Sequence, residues 1–478
     1  MGEKLRAQVA VIGGGPGGYA AAFRAADHGL DTVLLDVEKN PGGTCLYRGC
    51  IPSKALLHVA KLINDAKEAA DWGLYFQPPE MDLEKVRRKT AEVVQTMTGG
   101  LGQLCKARKV RYMTARASFL DSNTLAVFHE DGREDILETD YTIIASGSRP
   151  ARFGPLIDSP RLMNSTNALQ MEDIPEKLLV IGGGYIGLEL GTVYASLGSA
   201  VTVVEMTDGL LPGADRDLVE PLHARLTDLF EEILLSTKVA EMKEQKNGIR
   251  VTFEGTDIRK PVRLFDKVLV CVGRKPNSHG LNLVSTKVTT DKKGFITVDA
   301  QRRTTDPCIF AIGDVAGEPM LAHKASAEGR VAADVIAGKS AAFDFTAIPA
   351  VVFTDPEVAW VGLTESAARK QEIPVKVTRF PWVASGRATT LNRPEGLTKL
   401  VCDPDTNQVL GMGIVGSGAG ELIAEGALAI EMGAVAEDLD MTIHPHPTLS
   451  ETVMESAAAL FSASTHIYRP PKKKPQSE

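Results

Sequence analysis

At 478 residues the chain is long enough for about three domains, each with a sizeable core. Its formal charge of −8 makes it a poor partner for nucleic acid or an anionic membrane surface. Six cysteines are too few for a secreted disulfide framework, and neither a Lys/Arg-then-apolar leader nor an apolar span of membrane length is visible, so a soluble, cytoplasmic protein is expected.

Residues 9–12 form a short apolar run that ends in Gly13-Gly14-Gly15-Pro16-Gly17-Gly18, and an Ala-rich helix follows. Strand, glycine turn and helix in that order read as a dinucleotide site: Gly13 makes the turn, Gly15 admits pyrophosphate and Gly18 lets helix pack on strand. The next strand, TVLLD, ends at Asp36, an acid placed to accept hydrogen bonds from an adenosine ribose.

The stretch GGTCLYRGCIPSKALL, residues 42–57, carries Cys45 and Cys50 just ahead of a helix whose first turn holds Pro52. The positive helix end favours a thiolate at Cys50, Cys45 can close a disulfide with it, and Lys54 lies one turn on. A zinc half-site is the competing reading, but no second Cys pair or His cluster completes it. Cys105, Cys271, Cys308 and Cys402 are scattered and read as packing residues.

After YTIIASGSRP, with Gly147 and Pro150, the same grammar returns: strand, Gly182, Gly184 and Gly187, helix, strand and a terminal acid, Glu205. In both copies the acid falls 23 residues after the first glycine. Two such units imply two dinucleotides, and beside a dithiol they suggest electron transfer. No Lys or Arg stands between Glu205 and Arg216, which favours NAD over NADP because a 2′-phosphate needs a basic partner. Glu189, two residues beyond Gly187, either faces the cleft near the nicotinamide or is a surface carboxylate.

The second unit closes near DKVLVCVGRKPN, which contains Gly273, and Asp314 follows in AIGDVAG, as a cap or turn residue or as a holder of a ribitol hydroxyl. From about Ala347 alternating strands and one long helix form an α+β unit without a nucleotide fingerprint. Near its end stand His444, His446 and Glu451; His446 is either structural or a base oriented by the carboxylate five residues on. The last ten residues, 469–478, read as a disordered tail.

With GGTCLxxGCIPSKALL, the paired glycine fingerprints, ASGSRP, AIGD, MLAHKA, FPWxASGRA and HPTLSE together, nearly the whole chain closely resembles the dihydrolipoamide dehydrogenase family of class I flavoprotein pyridine nucleotide-disulfide oxidoreductases. The resemblance implies an α/β chain with two Rossmann-like domains, for FAD at 1–150 and NAD at 151–273, a segment 274–346 completing the FAD domain, and an α+β dimerisation domain at 347–468. It implies oxidation of dihydrolipoyl groups with reduction of NAD by a homodimer serving a 2-oxo acid dehydrogenase core or a glycine cleavage carrier, the lipoyl group coming on another chain. Cys45 would be the interchange thiol, Cys50 the thiolate against the flavin, and Lys54 would sit near flavin N5, paired with Glu189. Asp314 would bind the ribitol, and Gly147, Ala322 and Gly273 would complete the cofactor sites. His446 of the second subunit would be acid and base, held by Glu451. No metal is implied.

Glutathione reductase would favour NADPH, and mercuric reductase would carry a C-terminal cysteine pair where the last cysteine here is Cys402. One departure stands between the cysteines: Tyr47, where the family usually has Asn, with Arg48 beside it. The phenol could narrow the thiol channel, shift the disulfide potential or pack outward.

Overall fold

The computed structural model describes residues 2–152, 154, 157–256 and 258–468; the tail 469–478 lies outside them. The chain forms two compact units, Met1–Ile174 with Leu269–Asp344 and Pro175–Val268 with Phe345–Glu478.

In the first unit, β1 (Lys4–Ile12), α1 (Pro16–Asp27) and β2 (Thr32–Asp36) open a parallel sheet. There follow α2 (Gly43–Arg48), α3 (Cys50–Glu68), α4 (Leu83–Ala107), β3 (Arg111–Asp121), β4 (Thr124–His129) and β5 (Glu134–Ile144). β1 lies between β2 and β5, parallel to both; β3 extends the sheet beyond β2 and strand Ile309–Ala311 extends it beyond β5. The second half of β3 and the first half of β5 pair antiparallel with β4 in the same sheet, Ile136–Glu138 of β5 keeping their pairing with β1 on the other side. β1 and β2 are buried on both faces, as a central parallel strand must be when helices cover it, hence the unbroken apolar runs VAVI and VLL. On one side Val9, Val11, Leu34 and Ile143 pack on Ala21, Ala22 and Ala25 of α1 and on Val331 and Ala332 of helix Ala322–Ile336. Cys105 is buried in that core and Cys402 in the core of the second unit; burial pushes both thiols up to about 11, so they are packing groups, as expected.

The second unit repeats the strand, turn and helix with Lys177–Ile181, Tyr185–Ser196 and Ala200–Val204, the two strands parallel and Glu232–Leu234 added beyond. Its C-terminal part is a five-stranded antiparallel sheet in the spatial order Ala350–Val352, Glu357–Gly362, Val409–Gly416, Leu397–Cys402, Lys376–Pro381. Trp382, from the FPW motif, is fully buried there, its indole N–H donating to Thr398 Oγ1 at 2.9 Å.

An ionic cluster is built into this unit. Lys399 is 1% exposed, and its Nζ lies 2.8 Å from Asp215, 2.7 Å from Asp217 and 3.0 Å from Glu365. Arg379 contacts the same Asp217 and Glu365. Burial alone would raise the Asp215 carboxyl, but Lys399 and the Ser366 N–H hold it below the usual carboxylate range. Removing a buried cation from such a cluster leaves uncompensated carboxylates, so Lys399→Met is expected to cost about 3 kcal/mol by denaturant unfolding. A carboxyl depressed by folding contributes stability that is complete above its unfolded pKa, about 3.9, and is lost as pH falls below that. The native protein should therefore lose stability steeply in that acid range, and Lys399→Met should flatten the slope; an unchanged slope would contradict the assignment.

Candidate active site

The two glycine turns are built alike. Gly13 and Gly182 have φ of +107° and +110°, and a Cβ on Gly18 or Gly187 would collide with the carbonyl of Gly13 or Gly182, so the third glycine of each fingerprint seats helix on strand. Gly15 and Gly184 are the N-caps of their helices, neither helix has a side-chain cap or an acid in its first turn, and a Cβ on Gly184 would meet nothing, one on Gly15 only Gly43 Cα at 4.0 Å. Each turn thus presents an uncapped, positive helix end, which fits a pyrophosphate. Either helix end suits the pyrophosphate of a dinucleotide.

The strand-end acids do more than face a ribose. Asp36 Oδ2 accepts the Gly14 N–H and Oδ1 the Glu38 N–H at 3.0 Å. Glu205 Oε2 accepts the Gly183 N–H at 2.7 Å, and Oε1 the N–H and hydroxyl of Thr207, both at 2.8 Å. Each acid therefore shapes its glycine turn through the middle glycine, Gly14 or Gly183, residues to which the fingerprint assigns no part. Burial raises the Asp36 carboxyl, with the Gly14 and Val37 N–H groups opposing it. Arg216, the first base after Glu205, is consumed by the carbonyls of Leu210, Leu211 and Ala214 at 2.7–2.8 Å, so it offers no clamp for a 2′-phosphate.

The dithiol stands on the first turn. Sequence reading places both cysteines ahead of one helix; in the structure Cys45 lies in the short α2, and Cys50 is the first residue of α3, separated from it by Gly49. Cys45 is partly buried and Cys50 exposed, both as thiols. The two side chains hydrogen-bond, and that bond, with burial second, raises the Cys45 pKa. Lys54, one turn along α3, is near enough to oppose the shift. Tyr19 of α1, which the sequence did not single out, has its phenol raised first by burial and then by the charges of Cys45 and Cys50, so it borders the pair.

Backbone contact fixes α2 to the phosphate loop: the Gly42 N–H donates to the Gly14 carbonyl at 2.7 Å, and a Cβ on Gly43, where φ is +56°, would stand 2.5 Å from Gly15 Cα. Gly43→Ala is therefore expected to weaken flavin retention by at least about tenfold, read as the ratio of flavin to protein absorbance after dialysis, with an unchanged ratio counting against this contact.

Behind this turn, Asp314 accepts the hydroxyl of Ser148, which in turn accepts Arg274 Nε at 2.7 Å. The carbonyl of Gly147 accepts Asn277 N–H and that of Gly273 accepts Ala151 N–H, both at 2.9 Å, and Ala322 opens helix Ala322–Ile336. The fully buried Glu328 takes Arg302 and Lys324, each at 2.9 Å, and the Gly313 N–H at 2.6 Å, anchoring the residue before Asp314. In the second unit Glu189 is buried, not a surface carboxylate, and its Oε1 accepts the Phe353 N–H at 3.0 Å.

The two histidines part ways. His444 has Nδ1 on the Thr442 carbonyl at 2.8 Å and Nε2 on Glu425 at 2.7 Å, so both nitrogens are engaged. His446 has Nδ1 on Glu451 Oε1 at 2.9 Å, its side chain is 75% exposed, and Nε2 has no hydrogen-bond partner among the described residues. Partial burial would raise the Glu451 carboxyl, but the Thr448 N–H and His446 hold it below the usual range. An anchored Nδ1 and an open Nε2 are what a proton-transfer group needs.

Two dinucleotide turns, a dithiol braced on the first and, in the second unit, an antiparallel sheet followed by a carboxylate-held histidine define a flavin-type disulfide oxidoreductase. The chain belongs to the pyridine nucleotide-disulphide oxidoreductases, matching that family over residues 7–329 and its dimerisation domain over 348–457. It is 48% identical to the dihydrolipoyl dehydrogenase of Haemophilus influenzae, with 97% of each chain covered, and 47% identical to that of Vibrio cholerae, with 98% of each covered. Among solved structures it superposes on LpdA of Mycobacterium tuberculosis with a TM-score of 0.88 at 26% identity, covering 95% of this chain and 99% of that one. The flavoprotein disulfide reductase RclA of Escherichia coli gives 0.85 at 26% identity, covering 95% of this chain and 99% of that one. Family members of this type use FAD and NAD(H), the pair that the two turns fit. Among the described residues no helix is long and apolar enough to cross a membrane, and no group of acids, histidines and cysteines could hold a metal.

Proposed function

We propose that the chain is a dihydrolipoyl dehydrogenase, oxidising protein-bound dihydrolipoyl groups through Cys45 and Cys50 and delivering the electrons to NAD. The observation that carries the reading is the dithiol braced, through Gly42 and Gly43, on the dinucleotide turn of Gly13–Gly15. In the working cycle Cys45 and Cys50 begin as a disulfide. A dihydrolipoyl thiol gives its proton to His446 Nε2 of a second copy of the chain, and the thiolate attacks Cys45 Sγ, so that the Cys45–Cys50 bond breaks and Cys50 departs as a thiolate. The second dihydrolipoyl thiol displaces Cys45, releasing the lipoyl disulfide and leaving the dithiol. Glu451 stays ionised throughout and stabilises the imidazolium. When bound, FAD and NAD supply the two-electron chemistry that returns the dithiol to the disulfide. Lys54, Asp36, Asp314, Gly147 and Ala322 would serve the flavin, and Gly182, Gly184, Gly187, Glu189, Glu205 and Gly273 the nicotinamide dinucleotide.

The dimerisation domain supports a homodimer in which each active centre uses His446 of the other copy. The lipoyl group arrives on a separate carrier, that of a 2-oxo acid dehydrogenase core or a glycine cleavage system in the cytoplasm. The test is NADH formation from dihydrolipoamide by the purified flavoprotein, with NADP run alongside. Turnover with NAD at least about 100-fold faster than with NADP is expected, since Glu205 repels a 2′-phosphate and Arg216 is engaged elsewhere. No turnover from flavin-loaded protein would overturn the reading.

A further inference from the structure

The strap 37–42, which joins the Asp36 end of β2 to α2, is held along its length by side chains from three directions. At its ends Asp36 takes the Glu38 N–H, and the Gly42 N–H holds the Gly14 carbonyl. In its middle the Tyr47 hydroxyl donates to the Asn40 carbonyl at 3.0 Å and accepts the Asn40 N–H at 3.2 Å, while Arg48 pairs with the Glu38 carboxylate. From β3 the Tyr112 hydroxyl donates to the Glu38 carbonyl at 2.7 Å. The two residues between the cysteines that are not glycine or leucine thus both reach back into the same six-residue strap.

Tyr47 follows Cys45 by two residues in α2, about 200° round the helix, so its phenol leaves on the face opposite the sulfur. The clip therefore holds α2, and Cys45 with it, to the phosphate-loop frame independently of α3 and Cys50. Opening a disulfide frees its sulfurs from a bond of about 2.05 Å, and the entropy so released favours the dithiol. A clip that restrains Cys45 in both states limits that release.

We propose that Tyr47 is a positioning residue for the redox pair: by clipping the Cys45 turn to the strap it holds the thiol–disulfide equilibrium toward the disulfide. The proposal rests on the reading that Cys45 and Cys50 exchange a disulfide in turnover. The balanced reaction is disulfide enzyme plus two glutathiones giving dithiol enzyme plus one glutathione disulfide, with two electrons and two protons passing to the protein.

The test equilibrates the holoenzyme in glutathione redox buffers and counts free Cys45 and Cys50 by alkylation and mass spectrometry. Tyr47→Phe deletes one hydroxyl and no charge, and should move the equilibrium toward the dithiol by about 5–10-fold, tenfold being about 30 mV for a two-electron couple. Tyr112→Phe, also neutral and acting on the strap from β3, should move it the same way by a smaller factor, and it decides the matter alone if Tyr47→Phe does not fold. Shifts below about twofold, or toward the disulfide, overturn the proposal. Because the titration reports only the protein's own thiols, a native enzyme that forms the disulfide yet fails to oxidise dihydrolipoamide would count against the substrate reading and not against the clip.

Discussion

Cys45→Ser is expected to reduce dihydrolipoamide oxidation by on the order of a thousandfold or more, with flavin still bound. The size follows from what the residue does. A serine hydroxyl can neither form the disulfide nor accept attack by a thiolate, so the route is removed and not merely slowed. It also follows from where the residue sits. The hydrogen bond to Cys50 and burial raise the Cys45 thiol, and Cys50 is the sulfur that stands at the positive start of α3. Cys50→Ser should be as inactive toward dihydrolipoamide, and its remaining Cys45, freed of the bond to Cys50 but still partly buried, should react with iodoacetamide at a rate that burial alone slows. The converse variant, with only Cys50, should alkylate at least about tenfold faster at neutral pH. Equal alkylation rates would show that the sulfurs are not differentiated as the geometry implies.

Much of this was legible in the chain. Both fingerprints, their terminal acids and the cysteine pair are local patterns, and periodicity with glycine spacing suffices to place them on strand, turn and helix. What the chain does not display is reciprocal shaping across space. That Asp36 and Glu205 bind the N–H of Gly14 and Gly183 depends on the return of a second strand beside the first. The burial of Lys399 is likewise invisible: in LTKLVC a lysine looks like the solvent side of an edge strand, and only the convergence of residues 215, 217 and 365 explains it. Tyr47 was open to three readings because a helix of six residues gives no periodicity from which to infer its facing. The bond to Asn40 favours the outward one, and through the strap it bears on the equilibrium.

His446→Gln is expected to slow dihydrolipoamide oxidation by about 10²–10⁴-fold, the usual worth of a positioned acid–base group, while NADH oxidation by artificial acceptors, which needs no thiol exchange, falls far less. Glutamine keeps a hydrogen-bonding group toward Glu451 but has no titratable nitrogen, so the loss isolates proton transfer from shape. Glu451→Gln should cost about 10–100-fold, since its single amide oxygen can take only one of the two N–H groups that the carboxylate accepts on separate oxygens, His446 Nδ1 and Thr448 N, and the charge that favours an imidazolium is lost. The carboxyl of Glu451 is held below its ordinary range, so it is ionised above its unfolded value near 4.3 and gives up its charge only in more acid solution. A pH dependence of thiol oxidation above that range cannot then come from Glu451, and whatever part of it belongs to the histidine should vanish in His446→Gln. His444→Gln is the control: with both nitrogens bound, it should lower stability without changing that pH profile. If His444→Gln altered the profile and His446→Gln did not, the roles assigned to the two histidines would have to be exchanged.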